Sequence, residues 1–390
     1  MVSVEEAFKI ISEVSCKLDS CVLPLEEILG NVLFEDIYAP INMPPFDQSA
    51  MDGYALNINP SNSYRIIGEN KAGDNNKYIL NPGEALRIYT GAMVPIGANT
   101  IAKQEIVDRS DDQITLLSSV YVGDNIRPAG EQIKKGELAI PKNTFINAGT
   151  VGYIAMLGIT EVKVYRKPKI AVIATGNELV RPGNQLEIGR IYESNTFALQ
   201  ACLQASGFNA SIITVEDDYT ATRDTIDQAI KLNDVVIITG GISVGDYDFV
   251  EGALSELQIK TGFYKVKQKP GKPIFFGHKD KKLVFALPGN PAAVLSCFYV
   301  YVLSTLQYIS GFGSTKPEFK TFKLKSGYTK TASLTHFLKG FISENQVEIL
   351  SSQSSAMLNS FVRANCLVKM NEKQENWNPG EEVSVIMIPI

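Results

Sequence analysis

Two stretches of almost unbroken aliphatic residues constrain this 390-residue chain more than anything else in it. Lys169-Ile-Ala-Val-Ile-Ala-Thr175 and Asp234-Val-Val-Ile-Ile-Thr239 are short, and neither has the polar alternation of a half-exposed strand. They read as strands covered on both faces, the usual condition in parallel sheets. Around them, helical spacing at Asn195–Ala205 and Thr220–Leu232 alternates with strand patterns at Ser211–Val215 and Leu283–Leu287. A long helix is predicted from Pro291 to about Ser310. Strands and helices alternating over short connections predict a doubly wound α/β domain.

Different patterns flank that domain. Val4, Ala7, Phe8 and Ile11 follow helical spacing behind Ser3, with Glu6 placed to complete a capping box. A second helical piece is read near Pro24 to Leu29, and the prolines of Ile41-Asn-Met-Pro-Pro-Phe46 break the chain. From Tyr54 to Asn125, short strand-like runs (Tyr64–Gly68, Ala85–Tyr89, Thr100–Val107, Gln113–Leu117) predict a small β-rich domain. Beyond Gly311-Phe-Gly313, Phe319–Lys325, Thr335–Ile342, Val347–Leu350, Cys366–Met370 and Val383–Ile388 suit a small β-barrel or sandwich.

Composition narrows the chemistry. The net charge of −5 argues against a nucleic-acid partner. Five scattered cysteines, without CxxC or zinc spacing, fit a reduced cytoplasmic chain. The N-terminus does not read as a signal peptide, and Val294–Leu306 reads as a core helix, so no membrane span is expected. With only His278 and His336 present, acid–base or metal chemistry must rest on Asp, Glu and Lys.

Four segments carry that chemistry. In Thr239-Gly-Gly-Ile-Ser-Val-Gly-Asp-Tyr-Asp248, a buried strand runs into Gly240, Gly241, Ser243 and Gly245, whose amides and hydroxyl suit a phosphate cradle. The loop is neither a Walker loop nor a dinucleotide fingerprint, and a tight strand-to-helix turn would use the same glycines. Thr175-Gly-Asn-Glu-Leu179 brings Gly176 and Glu178 to the end of the other aliphatic strand. Lys265-Val-Lys-Gln-Lys-Pro-Gly-Lys-Pro273 sets Lys265, Lys269 and Lys272 around a rigid turn, an arrangement that suits an anion as well as plain solvation. In Leu287-Pro-Gly-Asn-Pro-Ala, Pro288 and Gly289 lead to Asn290 as N-cap and Pro291 as first helical residue, aiming a positive helix end at the same sheet edge. Glu178, Asp217, Asp218, Asp246 and Asp248 supply carboxylates for a divalent cation. Together they predict a Mg²⁺-dependent site for a phosphorylated or nucleotidyl ligand.

In order and spacing these segments resemble the molybdopterin-binding domain of molybdenum-cofactor biosynthesis proteins. The first half narrows the resemblance. Pro44-Pro-Phe-Asp-Gln-Ser-Ala-Met-Asp-Gly-Tyr-Ala55, Thr90-Gly-Ala-Met-Val-Pro-Ile-Gly-Ala98, Gln104-Glu105 and Arg127-Pro-Ala-Gly-Glu131 are similar to the molybdopterin molybdenumtransferase family, which includes the C-terminal part of gephyrin. The resemblance covers essentially the whole chain. It implies an α/β multidomain fold: a discontinuous linking and dimerisation domain (1–45 and 126–167), an inserted β-rich domain (46–125), the molybdopterin-binding sheet domain (168–312) and a C-terminal β-barrel (313–390). It implies that molybdate enters adenylylated molybdopterin with release of AMP, with Mg²⁺ as cofactor, in a homodimer whose subunits share each site. The preceding adenylyltransferase of the pathway is a candidate partner. That enzyme and a non-catalytic pterin-binding scaffold are the competing readings.

Carried over residue by residue, the resemblance implies catalytic roles for Asp52, Thr90, Glu178, Asp248, Lys265 and Lys269. It implies metal or ligand contacts for Asp217 and Asp218, and substrate contacts for Thr175, Pro288, Pro291 and Ser355. Lys339, in Phe-Leu-Lys-Gly, stands where the resemblance implies an arginine contacting ligand; lysine keeps the charge without the bidentate fork.

Overall fold

A computed structural model describes residues 1–242, 249–330 and 333–389. The chain divides into two compact units. One is Leu23–Leu29 with Glu35–Val162; the other is Met1–Val22, Gly30–Phe34 and Lys163–Ile390.

The smaller unit is built on a six-stranded sheet in the order Thr100–Lys103, Gly53–Leu56, Glu84–Ile88, Ser63–Asn70, Gln113–Leu116, Val107–Ser110. Strand alternation sends Tyr54 and Leu56 into one apolar cluster and Ala55 into another, so the sheet is covered on both faces. The single strand expected over Thr100–Val107 is interrupted by a 3₁₀ turn, Gln104–Ile106. Here the Gln104 amide turns to the Asp52 carbonyl at 3.1 Å. The helical piece expected near Pro24 shrinks to the 3₁₀ turn Leu25–Glu27. An unforeseen helix, Ala148–Met156, starts at Asn147, whose side chain accepts from the Thr150 amide. Its Ala-Gly-Thr-Val-Gly start has poor intrinsic propensity, which hid it in the sequence.

The larger unit contains the expected doubly wound sheet. Its order is Ala210–Val215, Ile170–Thr175, Val235–Thr239, Lys282–Leu287, Phe275–Lys279, Lys260–Tyr264. The first four strands are parallel; toward one edge Phe275–Lys279 runs antiparallel to both of its neighbours. Val172, Ile237 and Phe285 pack toward the helices Val4–Val14 and Asn195–Ala205. Ile173, Ile238 and Val284 pack toward Tyr219–Leu232 and Phe249–Glu256. The capping box is present, with Ser3 and Glu6 each bonding the other's backbone amide. Pro291–Ile309 is long and apolar enough to cross a membrane, yet it is buried in the core. A π segment, Phe298–Val302, interrupts it.

Five strands close the C-terminal barrel: Thr335–Ser343, Gln346–Ile349, Lys320–Leu324, Glu382–Met387 and Cys366–Met370, which returns to the first. Leu338, Val347, Val368, Trp377 and Val385 fill it. A sixth piece of chain, Gln268–Lys269, joins in parallel beside Thr335 and His336.

Candidate active site

The register sets Ala174 beside Thr239 and Thr239 beside Leu287, so three parallel strands end at one rim. Beyond those ends lies a cavity of about 610 Å³. Thr175, Gly176 and Glu178 line it from the first strand, Thr239, Gly240 and Gly241 from the second, and Pro288, Gly289, Asn290 and Pro291 from the third. Three of the four sequence segments thus meet at the carboxyl edge of the sheet, where open α/β folds bind ligands; the lysine segment contributes only Pro273 to the wall. Ser243, Gly245, Asp246 and Asp248 lie outside the described residues.

Gly240 is required by space. Its φ is +90°, and a Cβ there would stand 2.7 Å from the Thr175 carbonyl oxygen. Removing the side chain lets one strand end lie against the next.

The carboxylates separate into two kinds. Asp217 lines the cavity and is fixed by Asn177: the Asn177 amide donates to Asp217 Oδ2 and the Asp217 amide to Asn177 Oδ1, both at 3.1 Å. Asp218, expected to share in metal or ligand contact, instead caps the next helix. Its Oδ1 accepts from the Ala221 amide at 2.8 Å, and it is absent from the cavity wall. Among the described residues, Glu178 and Asp217 are the acidic side chains on that wall, and no cluster of three or more His, Cys, Asp or Glu ligands is present. Two carboxylates suit Mg²⁺, which commonly takes one or two protein oxygens and completes its shell with phosphates and water.

The helix starting at Pro291 is positioned as expected, but its end is not open. The Asn290 side chain does not cap the helix; it donates to Ser355 Oγ at 3.0 Å. The Ser355 carbonyl accepts from Ala292 and Ala293, satisfying the first amides. Any attraction for an anion here comes from the dipole rather than from free N–H groups. Lys339 explains why Ser355 sits there. Its ammonium, expected to contact ligand, is buried and donates to the carbonyls of Ser352 (2.7 Å), Ser354 (3.3 Å) and Met357 (3.1 Å). Burial pushes its pKa below the ordinary lysine value. Lys339 therefore holds the loop that carries Ser355, and its charge is already spoken for by three carbonyls.

The lysines of the turn remain outside. Lys269 and Lys272 are exposed, while Pro273 of the same turn lines the cavity. Lys265 is half-buried, with its ammonium 4.9 Å from the centre of the Tyr264 ring. The Tyr264 hydroxyl donates to the Ile242 carbonyl, tying this segment to the glycine loop.

In the other unit, Asp52 Oδ1 accepts both the amide and the hydroxyl of Thr90, each at 2.8 Å. Arg87 supports the turn from beneath. One arm donates to the Gly53 carbonyl at 3.1 Å, the other to Gln104 Oε1 at 2.8 Å.

Sequence reasoning missed Asn195. It lines the cavity, and its side-chain nitrogen donates to Thr239 Oγ1 at 3.0 Å and to the Gly289 carbonyl at 2.8 Å, joining two strand ends. Asn195 was legible only as the start of a helix. An asparagine in a first turn has many local uses, so nothing marked it for this one.

Known proteins locate this arrangement. Three family models match: the MoeA N-terminal region (domains I and II) over residues 2–158, the probable molybdopterin-binding domain over 171–308, and the MoeA C-terminal region (domain IV) over 321–388. A molybdopterin molybdenumtransferase from Nostoc is 32% identical over 98% of this chain and 92% of its own. The chain belongs to the molybdopterin molybdenumtransferase family. Another member of that family, from Haemophilus influenzae, is 33% identical over 93% of this chain and 92% of its own. The crystal structure of a molybdopterin biosynthesis MoeA protein from Pyrococcus horikoshii superposes with a TM-score of 0.85 at 32% identity, covering 100% of this chain and 99% of that one. Sheet domain and closed barrel alike follow the architecture of this molybdenumtransferase family.

Proposed function

We propose that the chain is a molybdopterin molybdenumtransferase, placing molybdenum from molybdate onto adenylylated molybdopterin with release of AMP. The observation that carries this reading is the cavity at the ends of three parallel strands, in which glycine loops, two carboxylates and a helix start converge. Whole-length similarity to proteins bearing that name favours it over the adenylyltransferase and scaffold readings.

In this reading Gly240 and Gly241 let the ligand approach the backbone, and Thr175, Pro288, Gly289, Asn290 and Pro291 wall it. Glu178 and Asp217 would hold a Mg²⁺, which when bound offsets phosphate charge. Lys265, Lys269 and Lys272 attract the phosphate and the molybdate oxyanion. Asp52 and Thr90 are assigned to the site through a partner subunit of a homodimer. Five free cysteines agree with a cytoplasmic setting. The division into 1–45 with 126–167, 46–125, 168–312 and 313–390 belongs to the same proposal. Incubating the protein with adenylylated molybdopterin and Mg²⁺ tests it. AMP release that depends on molybdate supports the reading; ATP-dependent adenylylation without it would replace it.

A further inference from the structure

The lysine turn is anchored to the core by one buried amide that the site as assigned so far does not include. Gln268 has no exposed surface. Its side-chain nitrogen donates to the Pro270 carbonyl at 3.0 Å and to the Gly271 carbonyl at 3.3 Å. These two acceptors fix which end of the amide is nitrogen, since carbonyls cannot donate. The other end, Oε1, accepts the hydroxyl of Tyr301, itself fully buried. Tyr301 belongs to the π segment Phe298–Val302, a local irregularity of the kind that often serves a site. Cys297, one turn earlier, closes the arrangement: a Cβ on Gly271 would stand 2.2 Å from its sulfur.

Every polar atom of Gln268 is thus used on the turn or on the helix behind it. A buried network that is fully satisfied specifies one geometry. The chain on the other side is also fixed, because Gln268 and Lys269 pair with Thr335 and His336 of the barrel. Between these supports, Lys269 and Lys272 project into solvent while Pro273 reaches the cavity wall. The side-chain torsions of these exposed lysines stay free, but a fixed backbone sets the two points from which their ammonium groups reach.

We infer that Gln268, held by Tyr301, is a positioning residue that fixes the Lys269-Pro-Gly-Lys272 turn so that both ammonium groups meet the same oxyanion. The inference rests on the reading that these lysines take the phosphate or molybdate. Gln268 touches no ligand and acts on binding through the turn alone.

The test uses the whole protein with molybdate as probe. Gln268→Met keeps the volume and removes the side-chain hydrogen bonds; Tyr301→Phe removes only the hydroxyl. Lys269→Ala and Lys272→Ala are run alongside. Gln268→Met should raise the KM for molybdate about tenfold, leave kcat at saturating molybdate within about twofold, and weaken the salt dependence of KM. Tyr301→Phe should shift KM in the same direction by less. Unchanged KM in both variants, with the lysine variants impaired, overturns the inference and leaves the site reading intact. Unchanged KM in the lysine variants overturns the site reading itself. If Gln268→Met does not fold, Tyr301→Phe decides.

Discussion

Thr90 gives both its backbone amide and its hydroxyl to a single carboxylate oxygen of Asp52. The backbone bond, then the hydroxyl bond, holds this carboxyl below its usual range, with a smaller pull from Arg87. Both bonds favour the ionised form. Asp52 on this account is a poised anion at working pH, not a proton donor.

Thr90→Val keeps the amide and deletes the hydroxyl. The Asp52 pKa should rise toward its ordinary value, so the acid limb of kcat/KM moves to higher pH while the neutral plateau changes little. A pH–rate profile measures this. An acid limb at the same pH in both proteins would remove Asp52 from the titrating set.

Gly240→Ala places a Cβ against the Thr175 carbonyl at a backbone angle that disfavours side chains. The loop must shift, at a cost of about 1–3 kcal/mol. Thermal melting should register that loss, and pterin-ligand affinity should fall with it. Native affinity in a fully stable Gly240→Ala protein would mean that the loop does not shape the cavity.

Lys339→Met removes the ammonium shared by the carbonyls of Ser352, Ser354 and Met357; Ser352 keeps the Ser360 hydroxyl and Ser354 keeps the Met357 amide, so the Met357 carbonyl is the most exposed to the loss. Destabilisation of about 1–3 kcal/mol is expected, because one buried acceptor loses its charged donor and two others lose one of two donors. Hydrogen exchange should speed up at Ala292 and Ala293, whose amides bond Ser355. Unaltered exchange there would detach Lys339 from the helix start.

His336 is buried, and its Nε2 has no partner among the described residues. Burial, reinforced by Lys330 and Lys269, pushes its pKa down to about 4. Between the ordinary imidazole value and that lowered one, the unfolded chain binds a proton that the folded chain refuses. Stability therefore falls as pH drops through this window. Denaturant titrations at pH 7 and pH 5 should show the loss, and His336→Gln should reduce it. An equal loss in the variant would assign it to other groups.

Asp52→Ala and Glu178→Ala proteins should each be inactive. If a homodimer shares its sites between subunits, mixing the two after dissociation restores one sound site in each mixed dimer, about a quarter of full activity. No recovery, with mixed dimers shown to form, would place both residues in one subunit's site.

The sheet domain was legible because Ile170–Thr175 and Val235–Thr239 are aliphatic throughout, and full burial on both faces allows little else. The antiparallel edge was not. Phe275-Phe-Gly-His-Lys279 mixes glycine and charge, and its pairing with Lys282–Leu287 is a long-range fact. At the site, glycine and proline motifs announced the backbone turns correctly. What single residues do within them was hidden, because Asp218, Asn290 and Lys339 could each serve a ligand or a neighbouring amide or carbonyl. The structure sends Asp218 and Lys339 to neighbours, while Asn290 both bonds Ser355 and lines the cavity.

The parallel pairing of Gln268 and Lys269 with Thr335 and His336 makes the barrel part of the cationic turn. A truncation after Gly313 would not deliver a minimal pterin-binding domain: it would cut away the strand on which that turn rests. Loss of activity in such a fragment would speak as much to two displaced lysines as to any chemistry the barrel performs.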